Sequence, residues 1–187
     1  MLKIAFKEWA AVCRALADGT QSIILRKGGI AEVGGEFKPE HSRFWLYPTH
    51  YHEQHRHGLK PDAMHFLDAA EANYPATGTI EFSHFVDVAE VFFVDNLDVA
   101  LALDPWHICT PALVEQRFHY RTPGLYVLAV RVRAATPATV PELPEYEGCK
   151  TWVTLDRELT DEGLPVLDDA EFQSRLTAIR ERLTARR

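Results

Sequence analysis

Two short stretches of this chain gather side chains able to hold an ion. Arg26-Lys27-Gly28-Gly29 sets two cations beside two glycines at the end of an apolar run. Glycines let backbone N–H groups approach an anion closely and the cations neutralise it, which is phosphate-binding chemistry. A tight turn carrying two solvated cations uses the same residues for a purely structural end. The G-x-x-x-x-G-K-[ST] spacing of a Walker loop is absent. The second stretch, His50-Tyr51-His52-Glu53-Gln54-His55-Arg56-His57, holds four imidazoles and a carboxylate. His50, His52, His55 and His57 are of the type that ligates zinc, copper or nickel, so a divalent transition metal is the cofactor this loop suggests. His52 would be its first ligand, with Glu53 or another loop histidine as the second. The H-E-x-x-H order of zinc proteases is missing, and a solvated polar loop with incidental histidines is the alternative.

Further along, Arg131 and Arg133 stand two apart on a strand pattern and share a face. A partly buried arginine wants a carboxylate or a phosphate, and Glu142, Glu145 and Glu147 are the internal candidates. Cys149 lies beside Lys150, and a neighbouring cation favours a thiolate nucleophile. No His or Asp adjoins it in sequence, so a buried structural thiol is the competing assignment. His52, Glu53, Cys149 and Lys150 are thus the catalytic candidates, for a metal-assisted or thiol-based hydrolase. Arg26, Lys27, Gly28, Gly29, Arg131 and Lys150 are the ligand-binding candidates, with Trp152 or Trp106 as a stacking surface. The reading brings Arg26, Lys27, Arg131, Lys150 and His52 to one cleft at one edge of a sheet, with Arg26 serving the ligand rather than the fold. The partners this implies are a nucleotide, a nucleic acid or another phosphate-bearing ligand. A structural or interaction protein without a small-molecule ligand is the third class.

Those residues need elements to position them. Phe6, Trp9, Cys13 and Leu16 recur at helical spacing and predict a helix over Ile4–Ala17, stopped by Asp18-Gly19. Gln21–Arg26, Arg43–Pro48, Thr79–Val94, Gly124–Arg133 and Thr151–Leu155 read as strands, the last one central and the third bulged near Ala89-Glu90. Pro61–Ala72, Asn96–Leu103 and a segment capped by Thr110 and begun by Pro111 read as helices. Asp168 and Glu171 form a capping box for a final helix whose apolar stripe is Phe172, Leu176, Ile179 and Leu183. Strands and helices do not alternate regularly, so the expected class is α+β: a single mixed sheet or partly open barrel of about five strands with flanking helices. The first and last helices are expected on one side of it. The 187 residues suit one domain over residues 1–187, with its C-terminal helix from about 169. A net charge of −7 removes any whole-surface attraction to nucleic acid or anionic lipid, so a cationic cleft must be local. The apolar runs are too short for a membrane span, and the polar start and 3 scattered cysteines suit the cytoplasm.

Phe6-Lys7-Glu8-Trp9-Ala10, Leu25-Arg26-Lys27-Gly28-Gly29-Ile30, Phe44-Trp45-Leu46-Tyr47-Pro48-Thr49, Gly124–Val132 and Tyr146-Glu147-Gly148-Cys149-Lys150-Thr151-Trp152 occur in this order. Together they resemble the bacterial family called domain of unknown function 1802, from about Ile4 to Phe172. The resemblance implies no activity, cofactor or partner. It places a histidine at His52, and the other histidines of the loop depart from the family pattern. Small mixed β domains of the pseudouridine-synthase-archaeosine-transglycosylase type offer a fold analogy.

Overall fold

The computed structural model describes residues 1–27, 30–33, 36–49, 53–148 and 150–184, with side-chain surroundings for all of these except 30–39 and 53–55. The chain opens not with a helix but with a strand, β1 (Leu2–Trp9), followed by helix α1 (Ala10–Asp18). Leu2, Ile4, Phe6 and Glu8 alternate with Lys3, Ala5, Lys7 and Trp9, and this period of two prevails because β1 is paired on both sides. Gly19 ends α1 at φ +82°, the left-handed conformation its position after Asp18 anticipates. Strand β2 (Ile23–Arg26) comes next, then a separate two-stranded ribbon of β3 (Ile30–Val33) and β4 (Glu36–Pro39).

Strand β5 (Arg43–Thr49), helices α2 (Glu53–Gly58) and α3 (Met64–Ala72), and the 16-residue β6 (Thr79–Val94) follow. The pairing of β6 slips between Val88 and Glu90, where the bulge was expected, and again between Phe82 and His84. Asn96 caps α4 (Leu97–Leu101), and Thr110 caps α5 (Pro111–His119) by accepting from the Leu113 amide. Strand β7 (Leu125–Pro141) runs on past Arg133, absorbing the proline-rich stretch into the ladder. After it come β8 (Trp152–Leu159), β9 (Gly163–Pro165) and α6 (Asp169–Thr184).

The architecture is α+β, a mixed sheet of 7 strands with flanking helices; the two beyond five are β1 and β9. The order is β2-β7-β6-β5-β1-β8 with β9 paired to β7, so β8 is an edge strand rather than a central one. Among the described strands only β1 and β5 pair in parallel, in register from Ala5↔Trp45 to Trp9↔Thr49. The sheet curls until its two edges meet. Arg26 at the end of β2 lays its guanidinium 4.7 Å from the Phe6 ring centre and donates to Thr151 Oγ1, at the start of β8, at 2.7 Å. The enclosed core holds Phe6, Ile24, Phe44, Leu46, Val86, Leu128 and Val130, with α1 packed into it through Val12, Ala15 and Leu16.

The two terminal helices do not share a side. Leu128, Val130 and Val132 of β7 face α1, whereas Ala129, on the alternate face, meets Phe172 and Leu176 of α6. No described helix is long and apolar enough to cross a membrane.

Candidate functional site

The carboxyl ends of β1, β2 and β5 come together with the start of β8 around a cleft of about 610 Å³. That volume lies within the ordinary range for a small-molecule site. Its walls include Lys7, Glu8 and Trp9 from β1, Arg26 from β2, Tyr47 and Thr49 from β5, Arg117 from α5, and Lys150 and Thr151. Glu8 is only 3% exposed; one carboxylate oxygen accepts from the Trp9 amide at 2.8 Å, and the other lies 3.8 Å from Arg26 Nη1. At that separation the pair attracts without a direct hydrogen bond. Arg117 stacks on Trp9 at 4.7 Å from the ring centre and donates to the Leu25 carbonyl. Burial holds the Arg26 pKa below its ordinary value; Glu8 opposes the shift and the like charge of Arg117 adds to it. Two guanidinium groups thus stand near enough for their like charges to interact, and the buried carboxylate of Glu8 pairs with one of them, Arg26.

Lys7 and Lys150 complete the mouth, the first donating to the Gly148 carbonyl at 3.1 Å and the second to the Glu145 carbonyl. On the far wall Glu142 accepts from the Tyr47 hydroxyl at 3.0 Å, and burial followed by that bond raises the Tyr47 pKa.

Of the five residues expected to converge, Arg26 and Lys150 line this cleft. Lys27 turns away and caps the approach to β7, donating to the carbonyls of Phe118, Thr122 and Gly124. Arg131 lies on the opposite face of β7, where it pairs with Asp169 and stacks on Phe172. Arg133 pairs with Asp87, so neither arginine uses Glu142, Glu145 or Glu147. Trp152 packs its indole on Phe6 and Phe44, with ring centres 4.8 and 5.0 Å away, and does not line the cleft. Trp106 packs into the apolar cluster around α4 and α5. Gly28, Gly29, His50, His52 and Cys149 lie outside the described residues, as do the side-chain surroundings of Glu53 and His55. His57 is exposed, and no three described His, Cys, Asp or Glu side chains are grouped to hold a metal ion. Glu8 and Trp9 were read as helix and motif residues rather than as site candidates, and Arg117 pairs with Trp9 where the sequence suggested a cation beside Trp106. The signal for Glu8 was the two-residue alternation that puts it on the Phe6 face.

The family model for the domain of unknown function DUF1802 matches residues 5–178. This chain belongs to that family. No curated protein matches the sequence. Among solved structures, this DUF1802 chain is similar to ASCH from Zymomonas mobilis, with a TM-score of 0.50 at 12% identity, over 94% of this chain and 93% of that one. A serine-to-alanine mutant of the same protein gives 0.49 at 10% identity, over 94% of each chain. At such identity the likeness of the DUF1802 chain to ASCH is one of fold.

Proposed function

We propose that the cleft binds a phosphate-bearing ligand, a nucleotide or a segment of nucleic acid. The observation that carries this is the nearness of two guanidinium groups, Arg26 and Arg117, on the cleft wall, where the buried carboxylate of Glu8 pairs with Arg26. An anion between them relieves their mutual repulsion, and planar guanidinium groups match phosphate oxygens two at a time. Trp9, already stacked under Arg117, supplies an aromatic face beside the charge for a base. Lys7 and Lys150 at the mouth extend the attraction outward, which a protein of net charge −7 needs locally.

The test is titration with a nucleoside monophosphate by calorimetry and with a short labelled single-stranded oligonucleotide by fluorescence polarisation. Saturable binding is expected, weakening as salt rises. Arg117→Ala should weaken it about tenfold or more, and Lys150→Ala should lower the salt slope for the oligonucleotide by about one. Absence of saturable binding to both probes, or equal affinity in both variants and the parent, would overturn the proposal.

A further inference from the structure

A second pocket lies between α1, α3 and β6. Its chemistry arises from the slip in the β6–β7 ladder. Phe82 pairs with Ala138 and His84 with Ala134, so residues 135–137 of β7 oppose Ser83 alone. Regular alternation is lost there: Phe82 and Phe85 both pack against Trp45 on one side of the sheet. The two residues between them, Ser83 and His84, both line the pocket on the other side. A bulge of this kind re-aims side chains that a regular strand would send apart.

The pocket measures about 70 Å³, room for on the order of five waters. Ala10 and Ala17 of α1 leave this space open, and Arg14 of the same helix lines it. Among the described residues Arg14 makes no hydrogen bond or ion pair, and Glu81, the carboxylate on the same wall, is beyond 4 Å from it. Ser83 Oγ lies 3.0 Å from His84 Nδ1. If the hydroxyl donates, the imidazole keeps an N–H at Nε2; if the imidazole donates, the hydroxyl keeps its own hydrogen. Either way the pair offers one donor to an outside acceptor. Burial first, then the nearby Arg14 charge, lowers the His84 pKa, so the ring is neutral at neutral pH. Burial likewise holds the Cys13 thiol well above its ordinary value, so no thiolate competes for the cation.

We infer that this pocket is a second site, taking a small oxyanion (a phosphate or carboxylate group) on Arg14, Ser83 and His84. Tyr74 is the one described residue it shares with the larger cleft. The guanidinium supplies the charge and the hydroxyl–imidazole pair the directed donor.

Amide and imidazole NMR signals of the full chain, followed while inorganic phosphate and, separately, acetate are added, test this. Saturable shifts at Ser83 and His84 at millimolar concentrations are expected. Saturation by phosphate alone identifies a phosphoryl ligand, by acetate alone a carboxylate, and by both a general oxyanion site. Arg14 is exposed, so Arg14→Ala should keep the parent melting temperature while weakening binding about tenfold or more. Ser83→Ala should weaken it less, and Lys150→Ala, in the larger cleft, should leave it unchanged. Shifts that stay linear for both anions, or an Arg14→Ala protein that binds as the parent does, would sink the inference.

Discussion

Asp87 holds two guanidinium groups at once. Arg43 Nε approaches one carboxylate oxygen at 2.5 Å and Arg133 Nε the other at 2.9 Å. Burial alone would raise its pKa, but the hydrogen bonds from Arg43 and Arg133 outweigh it and the carboxyl titrates below its ordinary value of 3.8. A folded-state pKa lower than the unfolded one adds stability that is present above the unfolded value and lost as pH falls through the folded one. Urea midpoints measured from neutrality down to acid should therefore fall for the parent protein below about pH 4, with a shallower fall in Asp87→Asn. Parallel curves would remove Asp87 from the acid response. At this scale the candidate site was half legible. Arg26 and Lys150 stand at strand ends, and strand ends could be read. For Arg131 the expected internal partners were Glu142, Glu145 and Glu147, whereas its partner, Asp169, belongs to a helix that its own sequence neighbourhood does not reveal.

Helix α6 shows how a local signal survives when its packing does not. Asp168 Oδ1 accepts from the Glu171 amide at 2.8 Å, the cap that the Asp-x-x-Glu spacing predicts. Phe172, Leu176 and Ile179 are buried as their spacing requires. Asp168→Ala should lower stability by about 0.5–2 kcal/mol, measured by urea denaturation, and Asp168→Asn by much less. Equal loss in both variants would show that the carboxylate charge, rather than the cap, matters. Strand β1 is the opposite case. Phe6, Trp9, Cys13 and Leu16 fit a helix, and Leu2, Ile4, Phe6 and Glu8 fit a strand; the sequence satisfies both periods. What decides is pairing with β5 on one side and β8 on the other, and no window of local residues contains either. Glu8 and Trp9 were not read as site residues for that reason. The long strand β6 was legible, including the bulge at Ala89, and so was β7 as far as Arg133; its continuation to Pro141 through the prolines was not.

The whole molecule is organised around one curled sheet, and Leu128 sits at its centre. It is fully buried and packs in the cluster that joins β7 to Phe6, Ile24 and Leu16. Leu128→Ala should cost about 2–5 kcal/mol, read from the urea midpoint at an unchanged slope. A loss well below that range would mean that the barrel collapses to fill the space. The curl itself was beyond local reading, since Arg26 and Thr151 are 125 residues apart in sequence. Where these edges meet, the described strands β2 and β8 share no backbone ladder; the contact is made by side chains. Such a junction is a latch rather than a weld. Thermal breathing can part it while every paired strand stays intact, so amide protons along it trade with solvent through small openings and not through unfolding. A ligand seated in the adjoining cleft touches both sides of the latch at once. Its grip would be felt as slowed proton exchange along β2 and β8, a stiffening that reaches well past the atoms it contacts.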